Sequence, residues 1–286
     1  MCDTCGCNIT TGNRHLLSPG GKLEKTADGK MSIKVLQGLL SENDHQAAHN
    51  REHFDRHGVL AINLMSSPGA GKTSLLEATI DTLGQNLRIA VIEGDLETEN
   101  DADRIRAKGV NAVQIVTGSA CHLDAHMVHD ALHQMNLDDV DILFIENVGN
   151  LVCPASFDLG QHLNITLLSV PEGDDKPAKY PVIFRAADTV LLTKTDLLPY
   201  LRDFRPDRAE QYIRELASDV PVLSVSVENG EGLEAWLDWL QKEAEQQQQR
   251  RSIGESRRPA IQPDGLRLHK LETQQQSQTS HRPHDL

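Results

Sequence analysis

The amino-acid sequence predicts an α/β protein, with a mostly parallel central sheet of about seven strands, helices on both faces, and a flexible arm and a helix in front of the sheet. Two observations predict this class. From Val59 onward, short apolar segments alternate with segments of helical length, which is typical of parallel strands covered on both faces. Upstream, a polar stretch precedes a segment from Ile33 to His57 that has helical spacing of its apolar residues and stops at Gly58.

The predicted elements follow one another with short connections. Strands are predicted near residues 59–65, 88–93, 112–116, 141–146, 164–170, 188–193 and 221–227. Helices are predicted near residues 71–84, 98–108, 121–135, 207–218 and 231–245. Because a helix follows most of the strands, each crossover can return the chain to the same edge of the sheet, and neighbouring strands become parallel.

This pattern divides the chain into four segments. Residues 1–30 are polar and lack apolar periodicity, so we expect a flexible N-terminal arm. Residues 31–58 form a helical lead-in, and residues 59–245 form the main domain. Residues 246–286 are polar and rich in glutamine. They cannot bury enough apolar surface to offset the entropy of ordering, and we predict a disordered tail.

Charge and composition exclude several classes of function. The net charge is −14 and no basic patch is present, so nothing would neutralise the phosphates of a nucleic acid. No apolar run approaches the roughly 18 residues that span a bilayer, and the first residues lack the features of a secretory leader. We therefore expect a cytoplasmic protein with no nucleic-acid or membrane partner. In that reducing compartment its five cysteines are expected to be ligands or nucleophiles.

A glycine-rich turn joins the first strand to a helix in the segment AINLMSSPGAGKTSLL. Backbone N–H groups in such a turn can surround phosphates at the positive end of a helix, Lys72 adds a cation, and the Thr73 hydroxyl can reach Mg²⁺. Ser66 stands where the full pattern has glycine, and the alternative is a glycine-rich turn without a ligand. The context predicts a P-loop NTPase fold. The predicted phosphate-binding residues are Gly69, Ala70, Gly71, Lys72, Thr73 and Ser74.

Two further segments carry acidic residues at strand ends. Glu146 ends the segment DILFIE, and Gly149 follows it, as expected for an acid and a glycine whose N–H senses the γ-phosphate through a movable segment. The second strand ends in a cluster of acids. From that cluster we take Asp95 as the candidate for the Mg²⁺ shell, and we interpret the remaining acids as a solvated helix start.

The segment from Thr193 through Lys194 to Asp196 distinguishes GTP from ATP. It matches the guanine-recognition motif at a strand end, with Thr in place of the usual Asn. A carboxylate at Asp196 can accept hydrogen bonds from the guanine N1–H and 2-amino group, a pair that adenine does not offer. Ser226 and Val227 follow the last strand, where a further guanine-contacting loop would lie. We therefore predict binding of GTP and GDP.

Cys2, Cys5 and Cys7 place three thiolates within one turn of the arm, a spacing that can hold a soft or borderline metal ion. A redox pair and an incidental cluster are the alternatives. A redox CxxC motif normally starts a helix in a folded domain, whereas this cluster belongs to the arm, so we favour a metal site.

Cys121 and His122 are predicted to open a helix, and Cys153 follows Gly149 by four residues. Three ligands leave a metal site incomplete, and a two-fold dimer would complete it. A movement near Gly149 would then also move a metal ligand. The alternative for each cysteine is a small buried hydrophobe.

Two stripes of histidines recur at helical spacing, on the helix before the first strand and on the helix after Cys121. An i,i+4 pair of histidines can chelate nickel or zinc, but we favour polar faces of exposed helices, because that spacing needs no function there. The stripes consist of His45, His49, His53 and His57, and of His122, His126, His129 and His133.

The residues described above resemble the hydrogenase nickel-incorporation GTPase (HypB) family, of the SIMIBI class of P-loop proteins. The likeness rests on the N-terminal CDTCGC, HGVLAINLMSSPGAGKTSLL, the dipeptide Cys121-His122, LFIENVGNLVCPASFDLG, and SVPEGDDKPAKYP before the guanine-recognition strand. It spans most of residues 31–245, and Ser66 is normal for that family. The sequence lacks the long histidine-rich run of some members, and its Gln-rich tail lies outside the family pattern.

The resemblance implies a GTP-hydrolysing metallochaperone that dimerises with nucleotide and has residues 59–245 as its GTPase domain. It implies a tight Ni²⁺ site at Cys2, Cys5 and Cys7. It implies a weaker Ni²⁺ or Zn²⁺ site at Cys121, His122 and Cys153, at a homodimer interface. The implied partners are a HypA-type accessory protein and the large subunit of a [NiFe]-hydrogenase.

Slow, Mg²⁺-dependent hydrolysis of GTP is the expected activity, since no glutamine stands ready to orient the attacking water. Turnover is therefore expected to depend on dimerisation or a partner. One alternative is a related GTPase that serves urease or a cobalamin enzyme. Another is a nickel-storage or metal-sensing protein with a vestigial nucleotide site.

Overall fold

In the computed structural model the described residues are 33–95, 100–118, 120–216 and 220–259. Cys2, Cys5 and Cys7 of the predicted arm lie outside these ranges, as do residues 260–286 of the predicted tail.

Seven parallel strands form a single sheet in the order β3-β2-β4-β1-β5-β6-β7, which confirms the predicted fold class. All seven lie where the apolar segments predicted them. Most of their residues are buried on both faces because helices cover the sheet on both sides. The strands are β1 (Leu60–Ser66), β2 (Ile89–Asp95), β3 (Asn111–Val116), β4 (Ile142–Glu146), β5 (Leu163–Ser169), β6 (Thr189–Thr193) and β7 (Val222–Val225).

Helices connect the strands and precede them. The α-helices are α1 (Ile33–His57), α2 (Lys72–Leu83), α3 (Asn100–Arg106), α4 (Ala125–Leu132), α5 (Lys176–Lys179), α6 (Pro181–Arg185), α7 (Pro206–Leu216) and α8 (Leu233–Ile253). Single turns of 3-10 helix lie at Leu137–Asp139, Pro154–Ser156, Val170–Glu172 and Thr195–Leu197. None of the described helices combines the length and the apolar character needed to cross a bilayer.

Two predicted boundaries are wrong. The helix predicted from residue 121 begins at Ala125, because the side chain of Asp124 accepts a hydrogen bond from the Met127 N–H and caps it. Cys121 and His122 therefore lie in the preceding loop. The helix predicted to end at 245 continues to Ile253, so the first eight residues of the predicted tail are helical.

The glutamine-rich end of α8 is ordered because its amides are used in packing. Gln247 is buried, and its Nε2 donates to Asp55 Oδ1 at 3.2 Å. Gln248 Nε2 donates to the Gly58 carbonyl at 2.8 Å. These contacts attach α8 to the end of α1.

The register of the central strands decides which side chains meet at the carboxyl edge. Glu146 of β4 pairs with Leu64 of β1 on one side and with Glu93 of β2 on the other. Thr193 of β6 pairs with Ser169 of β5, which in turn lies beside β1. The P-loop, two glutamates and the guanine-recognition segment are thereby brought to one edge, where ligands of open parallel sheets bind.

Candidate functional site

A cavity of about 390 Å³ lies at the carboxyl edge of the sheet, between the P-loop and the ends of β2 and β4. Gly69 and Gly71 have φ angles of 74° and 95°, which glycine adopts without strain and other residues rarely adopt. Gly71 caps α2, so the N–H groups of the first turn face this cavity. Of the predicted phosphate-binding residues, all but Ala70 line it.

Ser66 stands where the full P-loop pattern has glycine, and its hydroxyl makes two hydrogen bonds there. Its hydroxyl donates to the Ser67 carbonyl at 2.7 Å and accepts from Lys72 Nζ at 3.1 Å. Lys72 Nζ also lies 3.8 Å from Glu146 Oε1. The lysine is therefore held in the buried wall of the cavity by a hydroxyl that glycine would lack.

A pair of buried glutamates closes the floor of the cavity. The Thr73 hydroxyl donates to Glu146 Oε1 at 3.0 Å, as expected for two groups that share a cation site. Glu93 stands next to Glu146 through the register of β2 and β4. Burial and then the neighbouring Glu146 carboxylate raise the pKa of Glu93 to about 11. Burial also raises the pKa of Glu146, opposed by the charge of Lys72.

Glu93 is a residue that sequence reasoning missed, since the acidic cluster pointed to Asp95. In the structure Asp95 lies half-buried at the cavity rim and Glu93 lies on its floor. The available signal was the position of Glu93 within an apolar strand, because an acid there is buried and needs a partner. Both Glu93 and Glu146 keep one buried carboxylate oxygen without a hydrogen-bond partner among the described residues.

These oxygens fit Mg²⁺, which binds through carboxylate and hydroxyl oxygens and retained waters. Thr73, Glu146 and Asp95 are the residues that would hold it, and Glu93 would join them after losing its proton. At neutral pH the ligand-free pair carries one proton on Glu93, which reduces the repulsion between two buried carboxylates.

We predict that Glu93→Gln raises the stability of the ligand-free protein at alkaline pH. The folded-state pKa of Glu93 is raised from 4.5 to about 11, so folding takes up a proton between these values. The stability that this group contributes is complete below about pH 4.5 and decreases as pH rises, on the order of 1 kcal/mol per pH unit. Glutamine has nearly the shape of the protonated glutamate side chain, and it does not ionise. Urea unfolding at about pH 5 and pH 8 should show the variant gaining on the parent at the higher pH.

Glu52→Gln, at an exposed position on α1, is the control for this comparison. It should follow the parent at both pH values. If Glu93→Gln also follows the parent, then Glu93 is ionised in the folded protein and the proton assignment is wrong.

The segment after Glu146 packs directly on the P-loop. A Cβ atom at Gly149 would lie 2.8 Å from the N and Cα atoms of Pro68, so only glycine permits this contact. Asn147 Nδ2 donates to Asn63 Oδ1 of β1 at 3.1 Å, which fixes the start of the segment to the sheet. A γ-phosphate on the P-loop would therefore lie beside the predicted sensing glycine.

A second cavity of about 580 Å³ adjoins the first and shares Gly71, Ser74 and Lys194 with it. Its size suits a purine base, and Thr193, Asp196 and Val227 are among its lining residues. Thr193 Oγ1 donates to the Ala70 carbonyl at 2.7 Å, and Lys194 Nζ donates to the Gly69 carbonyl at 2.8 Å. The predicted base-binding segment is thus attached to the P-loop.

Ser226 has a different place from the one the sequence suggested. It is buried, it does not line the base cavity, and its hydroxyl donates to Asp196 Oδ1 at 2.6 Å. Ser226 therefore orients the Asp196 carboxylate, and the neighbouring Val227 faces the cavity.

Cys121, His122 and Cys153 converge on one point. One ligand atom from each lies within 4.8 Å of the others, and within the described residues this is the one such group of three or more. The two Sγ atoms are 3.1 Å apart, which is longer than the roughly 2.05 Å of a disulfide bond. Two thiolates and one imidazole suit a borderline metal ion, and three ligands leave one tetrahedral position open.

The surroundings of His122 favour its neutral form. Its ring is buried and stacks on Phe157 with centroids 4.0 Å apart. Burial, weakly opposed by Asp124, lowers the pKa of His122 to about 4, so the imidazole is uncharged at neutral pH. Because His122 precedes α4, it does not belong to the predicted helical stripe of histidines. That prediction is wrong at this position.

The loop of Cys121 and the segment after Glu146 are joined by hydrogen bonds. Asn150 Nδ2 donates to the Cys121 carbonyl at 3.2 Å. The Leu123 N–H donates to Asn147 Oδ1 at 3.2 Å. Both asparagines flank Gly149, so the loop with the candidate metal ligands is attached on either side of the predicted sensing glycine.

Comparison with known proteins shows which family has a similar sequence. The model of the CobW/HypB/UreG nucleotide-binding domain matches residues 60–224. The hydrogenase maturation factor HypB of Azotobacter vinelandii is 54% identical over 213 residues, which cover 74% of this chain and 69% of that protein.

Two solved structures are similar to this chain over most of their own length. HypB from Helicobacter pylori, in complex with nickel, has a TM-score of 0.69 and 42% identity, covering 72% of this chain and 96% of that one. HypB from Archaeoglobus fulgidus has a TM-score of 0.68 and 37% identity, covering 72% of this chain and all 100% of that one.

Proposed function

Because the chain belongs to the HypB family of hydrogenase maturation factors, within the CobW/HypB/UreG group of nucleotide-binding proteins, we propose that it hydrolyses GTP and delivers nickel to the large subunit of a [NiFe]-hydrogenase. One observation carries the coupling of these two activities. It is the hydrogen bonding that joins the Cys121 loop to the segment around Gly149.

GTP hydrolysis rests on the chemistry of the phosphate cavity. The N–H groups of the P-loop and the ammonium of Lys72 bind the phosphates and stabilise the charge that develops on the γ-phosphoryl group. Mg²⁺ held at Thr73 and Glu146 supplies further positive charge when bound. Among the described residues that line this cavity there is no glutamine, which supports slow turnover and a role for a second copy or a partner in completing the site.

Nickel is the cargo of the Cys121, His122 and Cys153 site in this proposal. Zn²⁺ suits the same donors. Cys121 and Cys153 are half-buried and His122 is buried beneath them, so the two thiolates give the site its access to solvent. A second copy of the chain related by a two-fold axis would fill the open coordination position. The proposal also includes a homodimer, a HypA-type accessory protein and the separate arm site at Cys2, Cys5 and Cys7, and membership in the family supports these parts.

Nucleotide state would change the metal site through differential contacts. Gly149 touches Pro68 of the P-loop, so a γ-phosphate there favours one position of the segment and its loss permits another. Asn150 carries that shift to the Cys121 carbonyl, and Cys153 lies three residues further along the same segment. A ligand can change an equilibrium only through contacts that differ between two states, and these contacts supply that difference.

The test is a nickel titration of a chain in which Cys2, Cys5 and Cys7 are replaced by alanine, with GDP and with a non-hydrolysable GTP analogue. Oligomeric state is followed in parallel. We expect the two nucleotides to change the nickel affinity of the remaining site by a factor of about 5 to 150, the usual range of coupling between two sites. Equal affinities would remove the coupling.

Asn150→Ala is the matched variant for this test. It removes the hydrogen bond to the Cys121 carbonyl and the one that Asn150 Oδ1 accepts from the Val152 N–H, and none of the metal ligands or phosphate-binding groups. Nickel binding should persist, and the difference between the two nucleotide states should shrink. Cys153→Ala, in contrast, should weaken nickel binding in both states because it removes a ligand.

A further inference from the structure

The two histidine stripes of the sequence meet in the fold. Helices α1 and α4 pack against each other, and the facing residues include His49 and His53 from α1 and His129 from α4. His133 caps the end of α4. The ring centroids of His49 and His53 are 4.6 Å apart, and those of His129 and His133 are 4.7 Å apart.

The stripes also contact each other across the helix interface. The ring centroids of His49 and His129 are 5.2 Å apart, and those of His53 and His129 are 6.2 Å apart. The structure therefore corrects the expectation that both stripes are solvated polar faces. Four imidazoles from two helices share one surface patch, which we call the histidine cluster (His49, His53, His129 and His133).

One pair in the cluster already has the spacing of two ligands on one metal ion. The Nε2 atoms of His129 and His133 are 3.2 Å apart. Two imidazole nitrogens at about 2.0–2.1 Å from a tetrahedral ion lie about 3.3 Å from each other. In the metal-free protein the hydrogen on His133 Nε2 lies between the two Nε2 atoms. If His133 changes tautomer and carries its hydrogen on Nδ1, both Nε2 lone pairs can face a metal ion, and no proton is lost.

A buried amide holds His129 in the orientation a ligand needs. His129 Nδ1 lies 3.2 Å from Asn50 Oδ1, so Nδ1 carries the hydrogen and the Nε2 lone pair faces the cluster. Asn50 is itself fixed, since its Nδ2 donates to the carbonyls of Ala125 and Leu159 at 2.8 and 3.1 Å. Such a second partner on the far nitrogen is the usual support of a metal-ligating histidine.

No third donor atom of the cluster lies within 4.8 Å of both nitrogens of that pair, so His49 and His53 reach the ion by rotation of their side chains. His49 and His133 are exposed and His53 and His129 are half-buried, so their rings can change rotamer at small cost. Burial lowers the pKa of His53 and of His129, and the neighbouring rings lower both further. Both effects favour the uncharged form of His53 and His129, in which one ring nitrogen of each keeps a lone pair for a metal ion.

We propose that His49, His53, His129 and His133 form a surface binding site for a borderline divalent transition-metal ion, Ni²⁺ or Zn²⁺. Imidazole donors suit these ions. The site goes beyond the proposed function, because it uses neither nucleotide nor any cysteine. It gives the chain a place to hold a metal ion apart from the thiolate sites.

The test uses the full chain with all five cysteines replaced by serine, titrated separately with NiCl₂ and ZnCl₂ by calorimetry. We expect one ion per chain, and a rise in the melting temperature with metal concentration. The double variant His49→Ala with His133→Ala removes two exposed rings and leaves the helix packing intact. The metal affinity of this variant should be lower than that of the cysteine-free parent by a factor of about 100. Loss of one hydrogen-bond partner of a ligand already costs about 10–100-fold, and this variant loses two ligands.

His45→Ala is the matched control, because His45 is exposed on α1 one turn before His49 and takes no part in the ring contacts. It should bind as the cysteine-free parent does. No stoichiometric binding by that parent, or equal binding by the double variant, would overturn the site. Neither outcome bears on GTP hydrolysis or on the cysteine sites, so the proposed function is tested separately.

Discussion

Replacing Lys72 by alanine is expected to reduce the rate of GTP hydrolysis by a factor of about 10² to 10³, the effect of removing one electrostatic contact to a transition state. Lys72 is the one cation held within the buried wall of the phosphate cavity as far as the described residues show. Its ammonium lies between Ser66 and Glu146, from where it can reach the β- and γ-phosphates. Phosphate release with excess Mg²⁺ and GTP measures the effect.

Lys108→Ala is the control for Lys72→Ala, since Lys108 is a surface lysine that pairs with Asp81 at 2.6 Å. It should hydrolyse GTP as the parent does. Lys72 also lowers the pKa of Glu146, so its loss lets the glutamate take up a proton. Melting temperature and nucleotide affinity are therefore measured beside the rate.

Equal hydrolysis by the parent and the Lys72→Ala variant would remove the enzymatic part of the proposal. The alternative of a metal-storage or metal-sensing protein with a vestigial nucleotide site would then be favoured. The assay is run with nickel and at a high concentration of the chain, so that lack of a second copy does not account for that result.

The fold was predictable because its signals are local. Strands buried on both faces need continuous apolar runs, and each of the seven could be located from such a run. The P-loop is a contiguous segment whose glycines, Lys72 and Thr73 serve the same backbone geometry. The start of α4 could also have been found, because Asp124 is a favoured N-cap residue placed directly before it.

The rest depends on contacts between distant residues. Glu93 and Glu146 meet only through the register of two strands that are separated by β3 and α4 in sequence. The order of the α8 end depends on Gln247 finding Asp55, nearly two hundred residues earlier. Polarity alone predicted disorder there, since it counts the cost of burying an amide and cannot see the partner that offsets it.

Asp196→Asn is expected to weaken GTP binding by a factor of about 100 or more. The Asp196 carboxylate lines the base cavity and can accept from both the N1–H and the 2-amino group of guanine. Asparagine turns one acceptor into a donor that faces another donor. Hydrogen bonds to a charged group contribute about 1.5–3 kcal/mol each, so the loss of the bond to the 2-amino group, with one donor facing another in its place, gives that factor.

The same substitution should create a new preference for xanthosine triphosphate. Xanthine has a carbonyl oxygen where guanine has the 2-amino group, so the amide N–H₂ of asparagine can donate to it while its oxygen still accepts from N1–H. Ser226 donates to Asp196 Oδ1 at 2.6 Å and would orient the amide so that its N–H₂ faces the base. Displacement of a fluorescent nucleotide by GTP, ATP and xanthosine triphosphate measures the change.

The expected exchange of specificity separates recognition of the base from damage to the fold. A variant that had merely lost structure would bind all three nucleotides weakly, whereas gain of xanthosine triphosphate binding requires an intact pocket. Asp203→Asn is the control, because Asp203 is exposed and follows Asp196 by seven residues. This variant should keep the parent's preference for GTP. If Asp196→Asn also keeps its preference for GTP, then another group in the cavity reads the base, and the assignment of Asp196 is wrong.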